Sequence, residues 1–144
     1  MKALLVFASL VMFGVSVGGC TKIAGDYVGK LSESSTITTV KDGRIVVSSD
    51  DVEKPDTTFH VEQAGEKLKI VAKGCTIEFT GKGKDADALP GQTCKLSLKN
   101  YEGTTAVKGT LSREGRWLNA VVSLAPTEPG VEGSLIVLFS GTVK

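Results

Sequence analysis

Histidine occurs once in the 144 residues, as His60, and tryptophan once, as Trp117. A single imidazole offers no second histidine for a zinc site, and it allows a serine or cysteine triad only if His60 itself serves. His60 lies in TFHVE, opposite Phe59 and Val61 in a strand-like alternation, so it reads as a solvent-facing histidine. No G-x-S-x-G elbow occurs, and the GKGKD run at 81–85 lacks the glycine spacing and the hydroxyl of a phosphate loop. An excess of one charge is missing too, since 17 basic and 16 acidic side chains give a formal net charge of +1. Nucleic-acid binders concentrate basic residues on one face. No such concentration exists, which argues against nucleic acid as a partner. The body also lacks helical periodicity: no dozen residues carry apolar side chains at three- and four-residue spacing.

Acidic residues do cluster, as Asp50, Asp51, Glu53 and Asp56 in SSDDVEKPD and as Asp85 and Asp87 in KDADALPG. Calcium takes six to eight oxygens from such loops, but neither cluster follows the EF-hand pattern and lysines interrupt both. Solvated loops are therefore expected, with no metal and no cofactor. Paired carboxylates for glycoside hydrolysis have no pocket to mark them, so the expectation is a protein that is not an enzyme.

What is present begins with MKALLVFASLVMFGVSVGGC, in which Lys2 precedes an apolar run from Ala3 to Val17 broken only by Ser9, Gly14 and Ser16. A bilayer-spanning helix needs about 20 apolar residues, so this run has the length of the hydrophobic region of a secretory signal. Val17, Gly18 and Gly19 ahead of Cys20 resemble the bacterial lipobox, where a peptidase cleaves before a cysteine carrying diacylglycerol. The small residues let the chain lie extended in the peptidase groove; Gly18 departs from the family's more frequent Ala, Ser or Thr. The specific resemblance covers residues 1–20. It implies a lipoprotein signal peptide at 1–19, a palmitate-bearing Cys20 that anchors the chain in a lipid bilayer, a short tether at 20–24, and one folded domain at 25–144. Two or more acyl chains make such an anchor durable, at roughly 0.8 kcal/mol per buried CH₂. The four residues TKIA reach less than about 20 Å, which keeps the domain at the membrane surface. Thr21 is not the aspartate that resembles an inner-membrane retention signal. The resemblance thus implies the bacterial cell envelope, and the outer membrane, facing periplasm or surface, if the source has two membranes.

With Cys20 acylated, Cys75 and Cys94 remain, and two cysteines in an exported chain are expected to form a disulfide. Closing a loop of about 18 residues would stabilise the fold by on the order of 3 kcal/mol. Free thiols or a metal pair are the alternatives, the latter disfavoured by the lone histidine and the absence of CxxC spacing. Period-two alternation recurs throughout the body, as in KLKIVA (Leu68, Ile70, Ala72), CTIEFT (Cys75, Ile77, Phe79) and TCKLSLK (Cys94, Leu96, Leu98). Both cysteines fall on the apolar side of their strands, which puts the bridge on the core face beside the loop 81–91. Turn signals at Lys41-Asp42-Gly43, Ala64-Gly65-Glu66, Asn100–Gly103 and Glu114-Gly115 separate the runs. Strands are expected at 25–33, 35–40, 44–49, 57–63, 67–73, 75–80, 92–99, 104–113, 116–124 and 133–143. This pattern predicts an all-β fold, an antiparallel barrel or sandwich of about 8–10 strands in a single domain. A glycine beside a strand recurs in GDYVGK, VKGTLS and FSGTVK.

Two stretches bear on binding. In RWLNAVVSL, Leu118, Ala120, Val122 and Leu124 share one face and leave Trp117 on the other, with Arg113 and Arg116 nearby. Exposed tryptophan beside arginine has the composition of a binding hot spot; the competing reading is a tryptophan that caps the end of a barrel. The last strand, SLIVLFSGTV, is apolar on both faces, as a strand covered on both sides would be. The expected function is a membrane-anchored envelope lipoprotein that binds a partner protein or a small apolar ligand near the membrane. The alternative is an inhibitor or immunity protein that blocks an enzyme or toxin through the exposed loops 50–56, 81–91 or 125–133. A continuous apolar cavity would favour a small ligand, and a filled interior with a protruding element would favour a protein.

Overall fold

The computed structural model describes residues 22–144, with Lys82 described by its backbone alone. The proposed signal segment, Cys20 and Thr21 lie outside the described residues. Nine strands follow in chain order: β1 (Gly25–Lys41), β2 (Arg44–Ala64), β3 (Lys67–Ala72), β4 (Cys75–Lys82), β5 (Asp85–Ala88), β6 (Thr93–Leu98), β7 (Tyr101–Glu114), β8 (Trp117–Pro126) and β9 (Val131–Val143). They form one antiparallel sheet in the order β5-β4-β3-β2-β1-β9-β8-β7-β6, and β5 also pairs with β7. That last pairing closes eight strands into a barrel, while β6 is an extra strand on the edge of β7. Between the two all-β architectures left open by the sequence, the fold is the barrel.

The alternation builds the core as expected. Leu68, Ile70, Ile77, Phe79, Leu96, Leu111, Leu118, Val122, Leu124 and Leu135 are all buried, and Phe59 stacks on Phe139 with ring centroids 4.5 Å apart. Side chains therefore fill the barrel, as is usual at eight strands. The recurring glycines sit where the wall is tightest: Gly29 and Gly141 face each other across β1 and β9, where a Cβ on Gly29 would collide with the Ser140 carbonyl.

Three departures from the expected strands have local causes. The runs 25–33 and 35–40 are one strand, because the polar inward residues Glu33 and Ser35 continue the same face as Tyr27 and Ile37. The runs 44–49 and 57–63 are likewise one strand, so 50–56 is not a loop. The register between β1 and β2 shifts between Gly29 and Leu31, with Asp56 at φ 52°. One extra residue on β2 exchanges its faces: Phe59 and Val61 point inward below the shift, Ser48 above it. Finally, 81–91 is mostly structured. Gly81 and Lys82 finish β4, and β5 completes the barrel through Asp85↔Ser112, Ala86↔Leu111 and Asp87↔Thr110. Four residues with two aspartates carry no strand signature; closure makes them a strand.

β4 and β6 share no ladder, and two devices bridge them. Cys75 and Cys94 form the expected disulfide, with Cα atoms 5.9 Å apart, Cys94 buried and Cys75 packed against the core. Next to it, the Gln92 side chain behaves as a piece of strand. Its Oε1 accepts from Glu78 N at 2.8 Å, and its Nε2 donates to Glu78 O at 2.8 Å and to Leu89 O at 2.9 Å. A side-chain amide thus pairs with the Glu78 N–H and shares the Glu78 carbonyl with the Leu89 N–H, which donates to it at 2.9 Å.

Candidate binding surface

The end of the barrel where the chain enters is plugged from within. Ile23 is buried in the core, and its carbonyl accepts from the Tyr27 hydroxyl at 2.5 Å. Arg113 lies over the Tyr27 ring, 5.8 Å from its centroid, and donates to the carbonyls of Gly115 and Lys22. Burial pushes the Tyr27 phenol above its ordinary range, and the Arg113 charge and hydrogen bond pull against that shift. The packed fold thus includes Ile23, while Lys22 is exposed.

Trp117, Arg116 and Lys144 stand exposed around this end. Trp117 is 55% exposed on the outer face of β8. The three residues singled out by the sequence therefore divide. Trp117 and Arg116 face solvent, whereas Arg113 is on the inward side with Leu111 and is occupied by Tyr27 and Lys22. The sequence showed that Arg113 is near Trp117 but not that it turns the other way. His60 is exposed, with Nδ1 2.5 Å from Asp26 Oδ1.

The opposite end is built otherwise. β9 pairs with β1 only up to Thr39↔Val131, and β3 pairs with β2 only at Glu62–Ala64. The hairpin around Asp42 and Gly43 consequently runs beyond its neighbours and carries Val40, Ile45 and Val47 on one face, Ile45 at 73% exposure. On the inward side, Glu33 is buried and its Oε2 lies 2.5 Å from Lys73 Nζ, with no further donor to that oxygen among the described residues. Tyr101 stands below the tip. Its hydroxyl donates to Glu128 Oε2 at 2.8 Å, while Glu128 Oε1 accepts from Thr104 N at 2.7 Å. Burial, reinforced by Glu128, pushes the Tyr101 phenol up to about 12. The Thr104 amide and the Tyr101 hydroxyl hold the Glu128 carboxyl below its ordinary range. These bonds tie the β8–β9 turn down, so 125–133 is not a free loop.

The outer face of β8 and β9 adds Val121, Ile136 and Leu138, all exposed, so the last strand is covered on its inner side only. An open surface groove runs between Thr39, Lys41, Val46 and the β6–β7 turn. Among the described residues, no three histidine, cysteine or acidic side chains converge as metal ligands. Alternation puts Asp50 and Asp51 on opposite faces, and Glu53 pairs with Lys30 at 2.7 Å. The hairpin tip was the surface that sequence reasoning passed over. Its signal was present as a Lys-Asp-Gly turn flanked by Val40 and Ile45, both apolar at an end where a strand edge normally carries charge. Searches of family models, curated proteins and solved structures found no match to this chain.

Proposed function

We propose that this chain is a lipid-anchored protein of the bacterial envelope that holds its barrel against the membrane and acts by binding a protein, without catalysis. The observation that supports the binding mode best is the contrast between an interior filled by side chains and a hairpin that extends beyond the wall with Val40, Ile45 and Val47 exposed. A small apolar ligand needs an enclosed pocket; an exposed apolar tip suits a macromolecular surface. The lipobox-like sequence supports the anchor, and the burial of Ile23, three residues after Cys20, supports a close one. Two residues then separate Cys20 from the plug, a reach of about 7 Å. Trp117 and Arg116 stand at that same end, where amphipathic aromatics and cations suit a headgroup layer.

The anchor is tested by metabolic labelling with a palmitate analogue, which should label the chain and fail to label Cys20→Ser. Label that persists in the variant removes the anchor. Binding is tested with a photo-crosslinking residue at position 45 in intact envelopes. A protein adduct is expected there and not from position 108 on the barrel wall; no adduct at position 45 overturns the binding mode.

A further inference from the structure

From Arg44 to Val61, β2 pairs with β1 on one side and, among the described residues, with nothing on the other. Natural sheets blunt such edges with charge, proline and bulges. Residues 50–56 do so with Asp50, Asp51, Glu53, Pro55, Asp56 and the register shift. The stretch RIVVSS, 44–49, has no such device beyond Arg44, and Ile45 and Val47 are exposed on it.

Backbone polarity along this edge follows from the turn. Asp42 and Gly43 both have positive φ, 52° and 70°, in a two-residue turn that makes Lys41 and Arg44 its hydrogen-bonded closing pair. Alternation in an antiparallel ladder then directs the N–H and C=O of Arg44, Val46, Ser48 and Asp50 toward β1. The groups of Ile45, Val47 and Ser49 face outward, unpaired.

We propose that this edge pairs antiparallel with the same edge of a second copy of the chain, about a two-fold axis at Val47. Only registers that set odd residues against odd residues join the outward groups. The register centred on Val47 places Ile45 opposite Ser49 of the second copy, and Arg44 opposite Asp50 of the second copy, twice by symmetry. Shifting by one step either way sets Arg44 against Ser48 or Val52 and leaves both charges unmatched. The acidic run stops the pairing where Asp51 would meet Gly43. Charge complementarity thus selects both the occupant and the register. The contact is smaller than the roughly 800 Å² per partner of a stable interface, so pairing is weak in dilute solution and gains from confinement of both copies on one surface. The proposal names the partner within the binding mode above, and it does not depend on the anchor.

The test uses the full chain in its own membranes. Residues in a hydrogen-bonded antiparallel pair have Cα atoms about 5.5 Å apart, within disulfide range. Oxidised Val47→Cys should therefore run as a covalent dimer without reductant, whereas Lys108→Cys on the opposite wall should match the parent. Adding Arg44→Asp or Asp50→Arg to Val47→Cys should each reduce dimer at least tenfold. Co-expressing the two charge variants should restore it as a mixed dimer. These are exposed positions, and unchanged thermal unfolding of each variant verifies the fold. No dimer from Val47→Cys, dimer indifferent to the charge variants, or a Val47→Cys adduct with a different protein overturns the proposal. An adduct from position 45 with another protein and no self-dimer would leave the binding mode standing and remove this partner.

Discussion

Where the chain enters the barrel, Ile23, Tyr27 and Arg113 satisfy one another, and the plug leaves no apolar side chain of its own in water. At the far end Val40, Ile45 and Val47 sit in water on a hairpin whose outer edge has no partner among the described residues. The two ends share one sheet and differ in what their polar groups do. At the plug, a cation and a hydroxyl are bound to carbonyls and add order; at the tip, backbone groups are left unmatched. Local stability follows the satisfied groups, so the entry end should be rigid and the hairpin the first part to exchange.

The contrast can be broken most forcefully at the plug. Tyr27→Ala should cost about 3–5 kcal/mol of unfolding free energy, because it empties a fully buried aromatic site. Ile45→Thr should stay within about 0.5 kcal/mol as an exposed change. Denaturant titration of both measures the difference, and equal costs would show that the ends are not distinct. Next in size is the β4–β6 bridge: replacing Cys75 and Cys94 together by Ala should cost about 3 kcal/mol for the 19-residue separation. Gln92→Leu, which leaves the Glu78 N–H without its acceptor while Leu89 N still donates to the Glu78 carbonyl, should cost about 1–3 kcal/mol. Hydrogen exchange at Glu78 should accelerate in both variants and stay unchanged in Ile45→Thr.

Smaller effects come from pH. The Glu128 carboxyl is held below its ordinary range, so the stability it contributes is present above the unfolded-state value and is lost as pH falls through the folded one. The β8–β9 turn should loosen in acid, seen as faster exchange of the Thr104 amide, and Glu128→Gln should abolish that dependence. The phenol of Tyr101, raised from 10.0 to about 12, has the opposite sign: its contribution is complete below pH 10 and is lost as pH rises towards 12. Ultraviolet titration should show one tyrosine ionising near 12. The smallest expected signal separates the ends by their surroundings. Trp117 is the chain's sole tryptophan, so brominated lipid should quench its fluorescence in the anchored protein. A tryptophan introduced at position 45 in a Trp117→Phe background should not be quenched.

Period two is legible wherever the inward residues are apolar. That is why Leu68, Ile70, Ile77, Phe79, Leu118 and Leu124 could be assigned to the core, and Cys75 with Cys94 to the core face, from spacing. It fails where inward residues are polar. Glu33 and Ser35 broke one strand into two in the sequence because their partners, Lys73 and the Asp50 carbonyl, come from elsewhere in the chain. It fails again across the bulge at 54–56, where one added residue exchanges the faces of β2. The hot-spot trio was half legible, since proximity along the chain placed Arg113 beside Trp117 while alternation around the turn sent it inward to Tyr27.

The sequence by itself determined the all-β class, the parity of the core and the core-side placement of Cys75 and Cys94. Each of these depends on side-chain chemistry repeated at the strand period. Closure through β5, the splint formed by Gln92, the inward turn of Arg113 and an edge at 44–49 that no described strand covers were decided by the tertiary structure. Each depends on which backbone groups meet a distant partner and which do not, and local alternation carries no record of that.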